Sequence, residues 1–172
     1  MALPDDAAAI RSIYSHYVTD TSITFEIEVP SVEEMRKRII EYTMHFPWLV
    51  LEKDGVIIAY AYATPFKARA AYRWSVESSI YVDQTLCGKG RGKKLYLELF
   101  DRLKKMGILN IIGVLTLPNI PSVAIHEKLG FKLVGRFPEI GFKKGKWWDV
   151  GYYQLILPKP QAPEELSEFE IT

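Results

Sequence analysis

Trp74-Ser-Val-Glu-Ser-Ser-Ile-Tyr-Val82 stands just before Gly88-Lys-Gly-Arg-Gly92, and this succession decides the fold. The first stretch is extended in pattern and rich in β-branched residues, which predicts a strand. Apolar residues then recur at helical spacing over Leu95–Met106, and Ile108–Leu117 is apolar and β-branched, as in a strand buried on both faces. The sequence therefore predicts a strand, a glycine-rich loop that leads into a helix, and a second strand.

Upstream of this unit, the sequence predicts two amphipathic helices and a hairpin. Apolar residues follow a helical period over Asp5–Tyr17 and again over Ser31–Phe46, whose first residues have the spacing of a capping box. Two β-rich runs, Trp48–Glu52 and Val56–Ala63, flank an Asp54-Gly55 pair, which favours the positive φ angles of a tight turn. We therefore expect adjacent antiparallel strands here.

Downstream, a short helix and two more strands complete the pattern. Ile120–Leu129 fits a helix stopped by a glycine, and Phe131–Phe137 and Trp148–Leu157 fit strands separated by a Gly- and Lys-rich segment. Pro158–Thr172 is rich in Pro and Glu without periodicity, so we expect a flexible tail. Residues 1–157 are predicted to form one mixed α/β domain with a mostly antiparallel, twisted sheet flanked by helices.

Composition limits the classes of function. The chain of 172 residues has 22 basic and 21 acidic side chains and a formal net charge of +1, so no overall field favours nucleic acid or an anionic membrane. No run approaches the ~20 apolar residues of a membrane-spanning helix, and the first residues lack a secretory pattern, so we expect a cytoplasmic protein. One cysteine and three histidines without ligand spacing predict neither an internal disulfide nor a metal site.

The glycine-rich run is a candidate anion site. Gly88, Gly90 and Gly92 let the backbone approach a ligand closely, and consecutive N–H groups at a helix start can bind a pyrophosphate. The spacing matches neither the P-loop, which needs a Ser or Thr after its lysine, nor the dinucleotide fingerprint, so nucleoside triphosphates and NAD are disfavoured. Taken alone, such a run is equally well a plain loop with solvated lysines.

A succession of motifs around this run adds the context that the glycines lack. It consists of Val76-Glu-Ser-Ser-Ile-Tyr-Val82, Gly90-Arg-Gly92, Leu95-Tyr96, Leu117-Pro-Asn119, Ser122 and His126-Glu-Lys-Leu-Gly-Phe131. These motifs closely resemble the GNAT family of acetyl-CoA-dependent N-acetyltransferases. A second set looks like the phosphinothricin acetyltransferase subfamily: Pro47-Trp48-Leu-Val50, Ala61-Tyr-Ala63, Lys67-Ala-Arg69, Ala71-Tyr72, Gly141-Phe-Lys143 and Asp149-Val-Gly151.

The resemblance implies acetyl-CoA as the co-substrate and a splayed strand at its site. Main-chain groups of that strand would pair with the pantetheine arm, the glycine-rich run would cradle the pyrophosphate, and Asn119 would hydrogen-bond the pantetheine amides. The implied cofactor-binding residues are Ile80, Tyr81, Val82, Gly88, Lys89, Gly90, Arg91, Gly92, Lys93, Asn119 and Ser122.

Acetyl transfer to an amine needs a proton acceptor, an oxyanion donor and a proton for the leaving thiolate. The resemblance places Glu77 in the position of the general base, acting directly or through one water. His126 stands where many GNAT enzymes carry a tyrosine acid, and since an imidazole can relay protons near neutral pH, we expect it to work with Glu77. The N–H of Val82 or a neighbour is the expected oxyanion donor. The competing interpretation of Glu77 is a surface strand carboxylate, and without the motif a helical histidine such as His126 is more often a core or boundary residue.

A cationic loop is the expected acceptor site. Arg69 and Lys67 suit a substrate carboxylate or phosphinate, because an arginine fork matches two oxygens at once, and Tyr72 and Phe25 would line the same pocket. The leading acceptor is a small amino-acid-like amine such as phosphinothricin or methionine sulfoximine. The alternative acceptors are another amino acid, a polyamine or a protein N-terminus. The alternative interpretation of the loop is that its cations are merely solvated and bind no acceptor.

Two departures from the family pattern are visible. Cys87 stands where the family usually carries Gln or Arg, and Met1–Pro4 is too short to supply the first strand that most members have. A covalent acetyl intermediate on Cys87 is disfavoured because no histidine neighbours it in the sequence and the family transfers directly.

The remaining expectations concern the oligomeric state and whether the protein is an enzyme. Family habit and the apolar C-terminal strands predict a homodimer, whose substrate is a small-molecule amine. The alternative from a different class of protein is a non-catalytic acyl-CoA-binding sensor, in which Glu77 and His126 are structural.

Overall fold

The computed structural model describes residues 1–86 and 90–167. The predictions for Cys87, Gly88 and Lys89 lie outside these described residues. The described helices and strands are α1 (Ala7–Thr19), α2 (Val32–Thr43), β1 (Trp48–Lys53), β2 (Val56–Pro65), β3 (Ser75–Val82), α3 (Arg91–Lys105), β4 (Asn110–Leu117), α4 (Ile120–Lys128), β5 (Lys132–Lys143) and β6 (Lys146–Ile156). Among these residues, no helix is both long enough and apolar enough to cross a membrane.

The six strands form one sheet in the order β1-β2-β3-β4-β6-β5. The pairs β1–β2, β2–β3, β4–β6 and β5–β6 are antiparallel, whereas β3–β4 is parallel. Parallel neighbours need a crossover connection, and α3 supplies it between β3 and β4. The predicted mixed, mostly antiparallel sheet with flanking helices is confirmed.

Two local signals act as the sequence suggested. The Ser31 hydroxyl caps α2 by accepting a hydrogen bond from the Glu34 N–H at 3.0 Å. Asp54 and Gly55, with φ angles of 53° and 77°, form the tight turn between β1 and β2. Each signal depends only on neighbouring residues, which is why the sequence alone located both.

The C-terminal hairpin is longer than predicted. β5 reaches Lys143 and β6 starts at Lys146, so residues 141–146, which were expected to connect two shorter strands, are mostly strand themselves. The turn is confined to Lys144 and Gly145, whose φ angles are 53° and 76°. Two register shifts in the pairing of β5 with β6 break the alternation of inward- and outward-facing residues along β5. The sequence pattern of a strand therefore stops at Phe137, before the strand itself ends.

At the β1 edge of the sheet, the N-terminal segment makes one strand-like hydrogen bond. The Ala2 N–H donates to the Trp48 carbonyl at 2.7 Å, which is a single contact of the kind that strands make. Within the described residues, no strand precedes β1. The short N-terminal segment therefore leads almost directly into α1.

The sheet divides the interior into two apolar cores. Ala59 of β2 packs with Leu99 and other residues of α3, on what we call the α3 face. Tyr60 packs with Ile10 of α1 and Ile39 of α2, on the α1–α2 face. Alanine and tyrosine thus alternate along β2, as expected for a strand buried on both faces.

Part of the tail that was predicted to be flexible is anchored to the domain. The Trp74 indole N–H donates to the Glu164 carbonyl at 2.8 Å, and Arg73 forms an ion pair with Glu165 at 2.8 Å. Leu166 packs against the core of the α3 face. These contacts leave no periodic pattern in the sequence, and the flexibility of residues 158–172 stays a prediction.

Candidate active site

β3 and β4 separate part-way along their length. Their parallel ladder ends at the pair Glu77–Ile112, although the strands continue to Val82 and Leu117. The gap between these unpaired halves is called the splay below. An unpaired strand edge offers main-chain donors and acceptors that a ligand can satisfy. The splayed strand predicted for the sheet is confirmed.

The direction of the main-chain groups along β3 follows from two hydrogen bonds at its ends. The Phe66 N–H donates to the Ser75 carbonyl, and the Asp83 N–H donates to the Ile58 carbonyl. Because β3 pairs with β2 without a register shift, the odd-numbered residues face β2 and the even-numbered residues face away from it. The residues whose main chains face the splay are Ser78, Ile80 and Val82.

The three residues whose main chains are expected to pair with pantetheine therefore differ in what their main-chain groups face. Ile80 faces the splay as predicted. The main chain of Tyr81 faces β2, and its ring stacks on Tyr60 at 5.2 Å, so its assignment as a main-chain partner is corrected. At Val82, the Tyr17 hydroxyl donates to the carbonyl at 2.5 Å and accepts from the N–H at 3.3 Å. The expected oxyanion donor at Val82 thus already has a side-chain partner.

The splay opens into a cleft with a mixed polar and apolar lining. Its polar side chains come from β3, β4, α3 and α4 with its N-cap residue, and they include Ser78, Thr116, Tyr96, Asn119, Ser122 and His126. The sequence had singled out the three residues at the start of α4 and within it. The other three come from a buried helix face and from two strands whose separation only the folded chain reveals.

The start of α4 links its cap to an imidazole. The Asn119 Oδ1 caps the helix by accepting from the Ser122 N–H at 3.2 Å, and the Ser122 carbonyl lies 2.7 Å from His126 Nδ1. The cap fixes the orientation of the Asn119 side chain, and both its amide nitrogen and the second lone pair of its oxygen are available for the predicted hydrogen bond to pantetheine.

His126 is a buried, neutral imidazole. Only 1% of the residue is exposed, and a carbonyl oxygen can only accept, so Nδ1 carries the proton that points to Ser122. Nε2 is buried and has no hydrogen-bond partner among the described residues. Burial lowers the pKa of His126, and the Ser122 hydrogen bond offsets only part of that effect. The ring therefore presents an unshared lone pair at neutral pH.

Gly113 of β4 makes room for this imidazole. A Cβ atom at Gly113 would lie 2.7 Å from both His126 Cδ2 and His126 Nε2, which is closer than atoms can pack. The ring also meets Tyr96 edge-on, with a centroid distance of 5.5 Å, and Phe131 at 4.9 Å. His126 is thus fixed against the β4 backbone on the α3 face of the sheet.

Glu77 lies on the opposite face. It alternates with Val76, which belongs to the α3-face core, so its side chain projects toward the α1–α2 face. Burial raises the pKa of Glu77, and Lys67 lowers it by a smaller amount. The structure therefore does not bring Glu77 into contact with His126; the two groups flank the splay from different faces of the sheet.

The N-terminus of α3 approaches the open end of the splay. Gly90, at φ 72°, is the N-cap residue, and a Cβ atom at Gly92 would lie 3.4 Å from the Ile80 side chain. The Arg91 guanidinium donates to the Leu86 carbonyl at 2.7 Å. The described part of the glycine-rich run thus places helix N–H groups beside the unpaired edge of β3.

The residues predicted to hold the acceptor do not all meet. Lys67, Arg69 and Tyr72 line one open cavity of about 630 Å³, next to Ser75 at the start of β3. Phe25 lies elsewhere: its ring covers Gly141 on the C-terminal hairpin so closely that a Cβ atom there would overlap it. The structure therefore groups three of the four predicted residues and separates Phe25 from them.

Two tyrosines at the site were given no functional role in the sequence analysis. Tyr96 is fully buried and hydrogen-bonds the Ser78 side chain, and burial raises the pKa of Tyr96, which keeps its hydroxyl protonated. Tyr17 binds the main chain of Val82. Both residues stand in apolar helical stripes, where a tyrosine is usually a core residue, so helical periodicity gives neither of them a role. Tyr96 does belong to the Leu95-Tyr96 motif of the family resemblance, but the motif was not assigned a function.

The whole fold has known relatives. The chain matches the acetyltransferase (GNAT) domain over residues 1–151. It belongs to the GNAT acetyltransferase family. It is 38% identical to the phosphinothricin N-acetyltransferase of Streptomyces viridochromogenes, over 92% of this chain and 87% of that protein. It is 31% identical to the L-methionine sulfoximine/L-methionine sulfone acetyltransferase of Salmonella typhimurium, over 92% and 94%. A GNAT superfamily phosphinothricin acetyltransferase from Sinorhizobium meliloti, solved in complex with acetyl-CoA, superposes with a TM-score of 0.91 at 38% identity, over 95% of this chain and 91% of that chain.

Acetyl-CoA, which GNAT acetyltransferases use, suits this geometry. Ser78 and Ile80 direct main-chain groups into the splay, which matches the amides of a pantetheine arm. The space around a Cβ atom at Gly90 is open, and a helix N-terminus with Lys93 in its first turn attracts a pyrophosphate. Among the described residues, no group of three or more His, Cys, Asp or Glu side chains could hold a metal ion.

The close fit of Gly113 to the imidazole predicts the effect of adding one methyl group. Gly113→Ala should push His126 out of place, lowering the free energy of unfolding by about 1–3 kcal/mol and reducing acetyl transfer. Chemical denaturation and steady-state rates measure the two effects. The control is Gly135→Ala, where nothing lies within 4 Å of the added carbon. Equal stability and equal rates of the two variants would contradict the described packing.

Proposed function

We propose that this GNAT acetyltransferase transfers the acetyl group of acetyl-CoA to the primary amine of a small amino-acid-like acceptor, of the phosphinothricin or methionine sulfoximine kind. The observation that carries the proposal is the position of Glu77, a half-buried carboxylate at the point where β3 and β4 separate. Relatives named phosphinothricin N-acetyltransferase and L-methionine sulfoximine/L-methionine sulfone acetyltransferase support this acceptor class.

Glu77 is the proposed general base. The neutral amine attacks the thioester carbonyl carbon in a ternary complex: a C–N bond forms, the C–S bond breaks, and the amine proton passes to the Glu77 carboxylate. Burial raises the pKa of Glu77, so this carboxylate is a stronger base than an exposed glutamate. Because only the deprotonated form accepts a proton, activity should fall as the pH drops through this raised pKa.

His126 has a different role from the one that the sequence suggested. A neutral ring protonated at Nδ1 has no proton to give from Nε2, so it supplies none to the leaving thiolate. We assign Nε2 as the acceptor of a hydrogen bond from a water or an N–H group in the splay. Tyr96, whose hydroxyl stays protonated in the same cleft, is the proposed hydrogen-bond donor to the sulfur.

A main-chain group takes the role of oxyanion donor. The N–H of Ile80 faces the splay, whereas the N–H of Val82 already donates to Tyr17. A fixed donor aimed at the thioester oxygen stabilises the charge that develops there, and it needs no reorganisation during the reaction. We therefore assign this role to Ile80, the neighbour two residues before the position first expected.

The cationic loop is the proposed binding site for the acidic groups of the acceptor. Lys67 and Arg69 line the same open cavity as Tyr72, and no ion pair is found for either cation among the described residues. Lys67 is also close enough to Glu77 to influence its charge. A carboxylate held by the loop would thus bring the amine of the acceptor toward the base.

The direct test follows CoA release from acetyl-CoA with phosphinothricin, methionine sulfoximine, ordinary amino acids and spermidine. Wild type should acetylate the first two, and Glu77→Gln should lower kcat/KM by about 100-fold or more while acetyl-CoA binding persists. Glu52→Gln, on the exposed part of β1, is the control and should keep wild-type rates. Tight acetyl-CoA binding without turnover of any amine would instead support a sensor.

Lys67 provides a test of the electrostatics of the base. Removing this cation in Lys67→Met should raise the pKa of Glu77 further, since Lys67 favours the charged carboxylate. The acid limb of kcat/KM against pH should then move to higher pH. Lys53→Met, at the exposed turn of the β1–β2 hairpin, should leave the limb in place. An unchanged limb in Lys67→Met would argue against Glu77 as the titrating base.

We also propose that the enzyme works as a homodimer in the cytoplasm. The hairpin of β5 and β6 exposes several large apolar side chains on an edge of the sheet, and burial against a second copy would remove them from water. These side chains are Leu133, Val134, Phe137, Ile140, Phe142 and Trp147. A monomeric mass by light scattering would contradict this assembly.

A further inference from the structure

Lys143 is a buried lysine at the end of β5. Only 4% of the residue is exposed, whereas lysine side chains normally reach water. Its ammonium group donates to the carbonyl of Thr24 at 2.8 Å, although the two residues are far apart in the sequence. The Trp148 indole N–H donates to the Lys143 carbonyl at 2.9 Å, so the hairpin end that carries the lysine is itself fixed.

Thr24 belongs to residues 21–29, the connection between α1 and α2, which we call the 21–29 segment. This segment forms one wall of the cleft, because Ile23 lines it. The Thr116 hydroxyl of β4 donates to the Ile23 carbonyl at 3.4 Å. The phenolic oxygen of Tyr14 lies 2.7 Å from the Thr24 hydroxyl, which ties the segment to α1.

The C-terminal hairpin holds the same segment from the other side. The Phe25 ring covers Gly141, two residues before Lys143. Glu26 attracts the Lys143 ammonium and is itself held by two hydrogen bonds from the Arg38 guanidinium, at 2.7 and 3.3 Å. The segment is therefore held by contacts with α1, α2 and the hairpin. Among these contacts, the hydrogen bond of Lys143 joins the hairpin to the main chain of the segment.

We propose that Lys143 is a positioning residue for the acceptor side of the reaction, holding the 21–29 segment against the splay through the Thr24 carbonyl. The segment connects α1 and α2, and Val29 packs on the core of the α1–α2 face, toward which Glu77 also projects. The inference rests on the proposed function, because it takes the acceptor amine to meet the Glu77 carboxylate on this face, beside the wall. Lys143 touches neither Glu77 nor the thioester site, so it acts through the segment that it holds.

An ammonium group removed from water needs acceptors around it. An apolar side chain of equal length would fill the same space, but it would leave the Thr24 carbonyl without this donor and the hairpin without this link to the 21–29 segment. A long donor such as lysine is therefore suited to hold a main-chain carbonyl of a separate element in place.

The first test compares Lys143→Met with Lys144→Met, which removes the charge of the neighbouring, exposed lysine. In the full-length chain, Lys143→Met should raise the KM for phosphinothricin about tenfold and leave the KM for acetyl-CoA within about twofold. Lys143→Arg should recover part of the loss, because a guanidinium can also reach the carbonyl. A lower thermal midpoint with unchanged KM values, or an equal rise in both KM values, would overturn the proposal.

The second test measures amide hydrogen exchange over residues 21–29 without substrates. Exchange should be faster in Lys143→Met than in Lys144→Met or wild type, and unchanged exchange in Lys143→Met would overturn the proposal even if the variant were active. This readout needs no turnover. If wild type acetylates no amine, the proposed function fails, while the exchange comparison still decides whether Lys143 holds the segment.

Discussion

The site depends on the end of the ladder between β3 and β4, whose last pair is Glu77–Ile112. Up to that pair the sheet is continuous, and after it the even-numbered residues of β3 direct main-chain groups into a gap. A strand edge inside a protein must be satisfied, and an extended chain with amide groups satisfies it as a neighbouring strand would. Three parts of the chain surround this gap: the N-terminus of α3, the start of α4 and the 21–29 segment.

Burial gives the polar groups around the splay their chemical character. It raises the pKa of Glu77 and lowers the pKa of His126, so one group becomes a stronger base and the other stays neutral. The two groups occupy opposite faces of the sheet, so the proton abstraction proposed for Glu77 is separated from the hydrogen bonding proposed for the ring. Lys143 belongs to the same pattern, since its buried ammonium is paired with a main-chain carbonyl rather than exposed to water.

The sequence predicted the fold more fully than the site. Periodicity, the Ser31 cap and the Asp54-Gly55 turn are local signals, and they are sufficient to locate the helices and the first hairpin from the sequence. The bulged C-terminal hairpin and the contacts of the tail were missed, because neither leaves a regular pattern. At the site, resemblance pointed to Glu77, Ile80 and His126, but the side on which each lies depends on strand alternation and on a splay that no short motif encodes. Helical periodicity alone did not distinguish Tyr17 and Tyr96 from core tyrosines.

The most direct measurement of the central claim is amide hydrogen exchange at Ile80 and Tyr81 as acetyl-CoA is added to the full chain. Ile80 faces the splay and Tyr81 faces β2, so the adjacent amide serves as an internal control. The account predicts slower exchange at Ile80 and little change at Tyr81. Binding of acetyl-CoA with no slowing at Ile80, or with equal slowing at both amides, would contradict it.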